Sequence, residues 1–240
     1  RKPMRNGKWL IKFIRTKISK AVDEKSDFVL PLYFILPELK KYFKDAVVSL
    51  PVKVLTRLQG KNVLVLFPEP GINLFHEKFG FKSINLDFDL DIQGEQGYRI
   101  KDPFSIIKMP CNANAILIFS STIALFHNRT LMKKLFSRLN TVINRNEIII
   151  FGLRKMPEMN IKKIFVNDSI FTQELLLDKD KKTANVYLSF RSENVKIWQT
   201  YPLAYHSFES VSSILSDRNM KILEIERTQE EDWFVLLRKD

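Results

Sequence analysis

Hydrophobic positions along this chain change their period twice, and each change predicts a change of structure. Residues 8–22 place Trp9, Leu10, Phe13, Ile14, Ile18 and Val22 on one helical face, with lysines and arginines opposite. Residues 26–60 continue as helix in two pieces. Pro37 suits the first turn of a helix through Leu39, Phe43 and Val47. Pro51 suits the start of the next, through Val54, Leu55 and Leu58, with Gly60 as its stop. From residue 63 the pattern shortens. Val63, Leu64, Val65, Leu66 and Phe67 leave no polar face, as a strand covered on both sides requires. A Pro-Glu-Pro-Gly loop and a short helix through Leu74, Phe75 and Phe79 come next. Further strands are predicted at residues 83–88, 98–107, 115–119 and 147–151. Between the last two, a helix over 129–143 aligns Leu131, Leu135, Leu139 and Val142.

This alternation predicts an α/β domain with a parallel sheet and right-handed crossovers. Residues 154–200 break the rhythm. They are polar and lysine-rich, and predict a hairpin in which Val186, Leu188 and Phe190 alternate, followed by Val195 and Ile197. The pattern then resumes. Ser207 can cap a helix through Phe208, Val211 and Leu215, and Asn219 suits a left-handed stop. Strands at 221–227 and 232–238 are joined by only residues 228–231, which makes them antiparallel neighbours.

Composition narrows the class. The 240 residues are 45% hydrophobic and 28% charged, enough for one well-buried domain and too apolar for a disordered chain. A single cysteine, Cys111, excludes a disulfide framework and reads as a packing residue. The dispersed His76, His127 and His206 argue against a histidine metal cluster. The net charge of +12 is unevenly placed. Residues 1–20 carry eight of the 39 basic residues and no acid, leaving 31 basic against 27 acidic residues elsewhere. The chain therefore divides into a basic amphipathic arm (1–25) and a balanced domain (26–240) with an insertion at about 154–200. The arm fits a first helix packed on its own domain, an anionic membrane surface, or a nucleic-acid backbone. The longest apolar run, residues 28–36, contains Pro31 and falls short of the ~20 residues of a membrane span. With no signal-peptide pattern, an intracellular location is expected.

Three local motifs bring in a family. The stretch Val63-Leu-Val-Leu-Phe-Pro-Glu-Pro-Gly71, the strand end Ser83-Ile-Asn-Leu-Asp-Phe-Asp89, and the closing hairpin over 220–238 stand in a fixed order. Together the sequence resembles the class I, Rossmann-like S-adenosylmethionine (SAM) dependent methyltransferases, over roughly residues 45–240. The resemblance implies a mostly parallel seven-stranded sheet with an antiparallel last strand, and SAM as cofactor. It implies a cofactor loop containing Glu69 and Gly71, with Phe67 and Glu69 standing where the family has glycines. Asp87, or alternatively Asp89, would accept hydrogen bonds from both ribose hydroxyls, since a carboxylate is acceptor-only. Asp102 and Phe104 would contact adenine, and Ser120 would lie on the cofactor edge or cap the helix after strand four. Dehydrogenases share the architecture, but the antiparallel last strand fits methyltransferases better. His127, His206, Tyr201 and Tyr205 are the candidate bases.

Two functional expectations follow from the resemblance. The first is a SAM-dependent methyltransferase with an unidentified acceptor, residues 154–200 covering the sheet's carboxyl edge. The second is an inactive methyltransferase-like binding or scaffolding subunit, holding RNA, an acidic protein or a membrane through residues 1–20, with a partner subunit completing the assembly.

Overall fold

The computed structural model describes residues 50–66, 80–87, 97–99, 113–144, 146–158, 161–166, 169–192 and 195–238. The basic arm, the helix through Leu39, the loop and helix at 67–79, and Cys111 lie outside the described residues. Helix α1 (Val52–Leu58) starts behind Pro51 and turns off at Gly60, whose φ of +71° is the left-handed value that glycine adopts without strain.

Strands β1 (Asn62–Leu66), β2 (Lys82–Asp87), β3 (Gly97–Arg99), β4 (Ala115–Ile118) and β5 (Ile148–Arg154) are mutually parallel, with β1 between β2 and β4. Helices α2 (Ser120–Ala124) and α3 (Arg129–Val142) make the crossover from β4 to β5. After β5 come four antiparallel strands, β6 (Ile161–Val166), β7 (Ser169–Asp178), β8 (Thr183–Ser192) and β9 (Val195–Ala204), forming their own sheet. Helix α4 (Phe208–Ser216), β10 (Met220–Arg227) and β11 (Glu231–Arg238) return the chain to the first sheet. That sheet has seven strands in the order β10-β11-β5-β4-β1-β2-β3, and β11 runs antiparallel between β5 and β10.

The continuous apolar runs have their expected cause. Val63, Leu64, Val65 and Leu66 are all fully buried, as are Ala115, Ile116, Leu117 and Ile118. Alternate residues serve opposite faces, because side chains in a strand alternate with period two. Leu64, Leu66, Ile116, Ile118, Ile149 and Phe151 pack against α3 and α4. Val63, Val65, Ala115, Leu117, Ile148 and Ile150 pack against α1. On the first face, Phe151 stacks on Phe234 at 5.1 Å and meets Phe136 edge-on at 5.3 Å, while Phe208 stacks on Phe234 at 5.7 Å. One aromatic column thus joins α3, β5, β11 and α4, a geometry worth about 0.5–1.5 kcal/mol per pair beyond area burial.

Helix ends follow the local signals. Asn128 caps α3, its Oδ1 accepting from the Leu131 N–H at 2.9 Å, and Ser207 caps α4 by accepting from Ser210 N at 3.3 Å. Asn219 takes a φ of +55° before β10. The third strand lies beside β2 at Gly97–Arg99, and residues 100–107 of the expected stretch lie outside the described residues. One expectation changes. The insertion is a four-stranded sheet reaching Ala204, of which the expected hairpin is β8 and β9. Strands β6 and β7 escaped the pattern because polar residues interrupt their apolar alternation. Gln173 shares the side of β7 that carries Leu175, and lysines fill Lys162 and Lys163. The inner face of this second sheet gives Val186, Leu188 and Tyr201 to the same core as α3 and α4.

Loss of the α3 cap gives a clean test of this local chemistry. Asn128→Ala is expected to lower unfolding free energy by about 1 kcal/mol, and Asn128→Asp to retain most of it, read from urea midpoints.

Candidate active site at the carboxyl edge

Strand order locates the site. The chain runs outward from β1 to β2 and β3, then returns to the other side of β1 for β4 and β5. The order reverses between β1 and β4, and open α/β sheets bind ligands outside the carboxyl ends of the strands at such a switch point. Register identifies what reaches it. Leu86, Leu66, Ile118, Phe151 and Phe234 stand in one row across the sheet. Asp87 is the next residue on β2 and its last, paired with Arg99 on β3. The backbone therefore delivers Asp87 to the carboxyl edge, one step from where β1 ends. Phe67, Glu69, Gly71, Asp89, Asp102 and Phe104 lie outside the described residues.

Ser120 is the first residue of α2, directly beyond β4, and is 3% exposed. It does not cap the helix: Phe119 occupies the cap position without a side-chain bond. Instead the Ser120 hydroxyl donates to Glu231 Oε1. Glu231 opens β11 opposite Arg154, and Trp233 stands opposite Gly152. Period two puts Glu231 and Trp233 on the same side of β11, the side that faces Phe119. Phe119 and Trp233 meet edge-on at 6.2 Å.

Gly152 makes this packing feasible. A Cβ there would stand 3.2 Å from Ser120 Cβ, 3.3 Å from the Ser120 backbone nitrogen and 3.3 Å from the Trp233 ring. Glu231, Trp233 and Gly152 were not singled out from the sequence. The available signal was a glycine inside an otherwise apolar strand, which marks a close approach of another chain segment.

Two of the candidate bases, His127 and His206, lie just beyond the end of α2. His206 Nε2 donates to the Phe126 carbonyl at 2.9 Å, since a carbonyl can only accept. Burial holds its pKa below the ordinary 6.5, and His127 lowers it further against the opposing pull of that hydrogen bond. A neutral imidazole with Nε2–H engaged leaves Nδ1 as the acceptor atom. His127 Nδ1 is buried without a hydrogen-bond partner, and its Nε2 lies 3.4 Å from Asn128 Nδ2. Burial pushes the Tyr205 phenol up, partly countered by Arg154. Tyr201 is 2% exposed and belongs to the core. Among the described residues, no three His, Cys, Asp or Glu side chains gather as a metal site.

Comparison with solved structures adds the family of the fold. A SAM-dependent methyltransferase from Clostridium acetobutylicum superposes with a TM-score of 0.58 at 14% identity, covering 87% of this chain and 97% of that one. A second, from Bacteroides fragilis in complex with S-adenosyl-L-homocysteine, gives 0.58 at 12% identity over 85% of this chain and 83% of its own. SAM-bound CalS10, an amino pentose methyltransferase from Micromonospora echinaspora, gives 0.57 at 9% identity, covering 78% of this chain and 89% of that one.

The chain has the SAM-dependent methyltransferase fold.

No protein-family model and no curated protein matches the sequence. Among the described residues of this methyltransferase fold, no helix is long and apolar enough to cross a membrane.

Two outcomes test the site's construction. Gly152→Val is expected to destabilise the fold by about 1–3 kcal/mol through overpacking against Ser120 and Trp233, seen as a lower urea midpoint at unchanged slope. The second concerns pH. Because the folded His206 pKa is depressed, the unfolded chain takes up a proton that the folded chain resists. Stability from this group is complete above pH 6.5 and falls as pH drops below it, by at most about 1.4 kcal/mol per pH unit. His206→Gln is expected to flatten the dependence of unfolding free energy on pH between about 6.5 and 5, relative to the unsubstituted protein.

Proposed function

We propose that the chain is a SAM-dependent methyltransferase whose cofactor lies across the carboxyl ends of β1, β2 and β4. One observation supports the reading: the reversal of strand order between β1 and β4 and the last residue of β2, Asp87, share one sheet edge. The donor set fits the cofactor's ribose. A carboxylate accepts from two adjacent hydroxyls, and hydrogen bonds to a charged group contribute about 1.5–3 kcal/mol. In this reading Asp87 holds the ribose. The loop containing Glu69 and Gly71 follows the methionine portion, and Asp102 and Phe104 border the adenine. Ser120, held by Glu231, fixes the start of α2 as one wall of the crevice. When bound, SAM supplies a methyl group made electrophilic by its sulfonium.

The chain's own contribution is positioning. Holding acceptor and donor in line replaces a bimolecular encounter by one within the complex. A protic acceptor must also lose a proton. His206 Nδ1, kept neutral by burial, is the described group suited to take it. The neighbours' names include a sugar N-methyltransferase and an amino pentose methyltransferase, which favours a small-molecule amine as acceptor.

Calorimetric titration with SAM and S-adenosylhomocysteine tests the cofactor assignment. The unsubstituted protein is expected to bind both, and Asp87→Ala to weaken binding about 10-fold or more. Absence of binding at millimolar ligand would overturn the enzyme reading.

A further inference from the structure

On the α1 side of β10 and β11, each acid but one has a cation. Glu226 meets Lys53 of α1 at 2.7 Å, and Glu224 meets Arg57 at 3.0 Å. On the opposite side of β11, Asp232 has Lys155 at 3.4 Å, and the Lys155 ammonium also donates to the Thr228 carbonyl at 2.6 Å. Glu231 and Arg154 stay outside these pairs. Arg154 ends β5, and Glu231 opens β11 directly opposite it. Residues opposite each other in an antiparallel pair share a face, with Cα atoms about 4.5–5.5 Å apart. Unlike charges so placed ordinarily bond to each other. Here the Glu231 carboxylate accepts from the buried Ser120 hydroxyl, and among the described residues the exposed Arg154 makes no ion pair. The backbone holds this arrangement. The Glu231 N–H donates to Thr228 Oγ1 at 3.0 Å, and its carbonyl accepts from the Thr228 N–H at 2.8 Å. Gly152 lets Ser120 come close to β5.

We propose that Arg154 and Glu231 recognise the acceptor, and that the acceptor is a free α-amino acid whose side chain carries the methylated nucleophile, an assignment that rests on the chain being a methyltransferase. A planar guanidinium takes a carboxylate by two parallel hydrogen bonds, and a carboxylate takes an ammonium. Glu231 keeps capacity for this, because a carboxylate has about four acceptor positions and Ser120 uses one. An α-amino acid brings both groups on one carbon. It also meets both charges at once. A simple anion would face Glu231 as a like charge, and a simple amine would face Arg154 as one. An ammonium has no lone pair to give, so the methylated atom is a third group, on the side chain. Position agrees with this role. Strand β5 is one place from β4 and two from β1, about 5 and 10 Å at the usual strand spacing. A molecule held at Arg154 therefore extends along the edge toward the strand ends assigned to the cofactor. Burial pushes the Tyr205 phenol up and the Arg154 charge draws it back, so the guanidinium acts on a candidate base at the same edge.

Calorimetry on the full chain saturated with S-adenosylhomocysteine tests the proposal. Each standard amino acid is offered at about 10 mM, a concentration that reveals even millimolar affinity. Binding is expected for an amino acid with a nucleophilic side chain. Arg154→Ala is expected to weaken its binding about 10-fold or more, and to leave the affinity of its α-carboxamide unchanged. Glu231→Gln keeps an oxygen for Ser120. It is expected to weaken binding by a similar factor, and to leave the affinity of the α-deaminated analogue unchanged. A purely structural role would lower all these affinities together, and that result would overturn the proposal. S-adenosylhomocysteine bound with no amino acid taken up overturns it alone. A protein that binds no S-adenosylhomocysteine overturns it together with the methyltransferase reading.

Discussion

Burial of β1 and β4 on both faces is the constraint on which the rest of this structure depends. A strand without a solvent side penalises every unpaired polar side chain along its buried length, and it needs a cover above and below. Val63, Leu64, Val65 and Leu66 meet the first demand. Helix α1 supplies one cover, while α3, α4 and the second sheet supply the other. Because the central strands are parallel, each carboxyl end opens onto a crossover, and all the crossover starts share one edge. The site is a consequence of that edge. No single side chain creates it.

Strand β11 shows how packing at the sheet's other half reaches the site. It enters antiparallel between β5 and β10 and carries Trp233 and Glu231 to the carboxyl edge. There Gly152 yields the space for Ser120, and Glu231 accepts its hydroxyl. The start of α2 is thus positioned by a residue 111 positions away in the chain. The Phe136, Phe151, Phe234 and Phe208 column does the same for the opposite face, tying the last helix to the crossover helix through two strands.

The second sheet has two unlike faces. Its inner face completes the core, and without Val186, Leu188 and Tyr201 the cluster around Phe126 would be open. Its outer face leaves Trp198 and Leu176 in water. A fold that adds a meander between β5 and α4 therefore gains a cover for its core.

Much was legible in the sequence because it depended on neighbours in the chain. Continuous runs identified the buried strands, Pro51 and Gly60 bounded α1, Ser207 and Asn219 bounded α4, and the four-residue link 228–231 made the last strands antiparallel. The motif over 83–89 was read as a strand end, and β2 does end at Asp87, on the carboxyl edge. What stayed hidden depended on distance. The Ser120–Glu231 hydrogen bond, the purpose of Gly152 and the withdrawal of Tyr201 into the core arise between segments far apart. The strands β6 and β7 were hidden for a local reason: Gln173 interrupts the inward row of β7 and the adjacent Lys162 and Lys163 put a polar residue on each side of β6, so their periodicity is weak. Sequence by itself determined which segments must be covered, since hydrophobic period is a local property of the chain. Only the tertiary structure decided what covers them and which groups meet at the edge, since those contacts are made by pairing and packing across the whole fold.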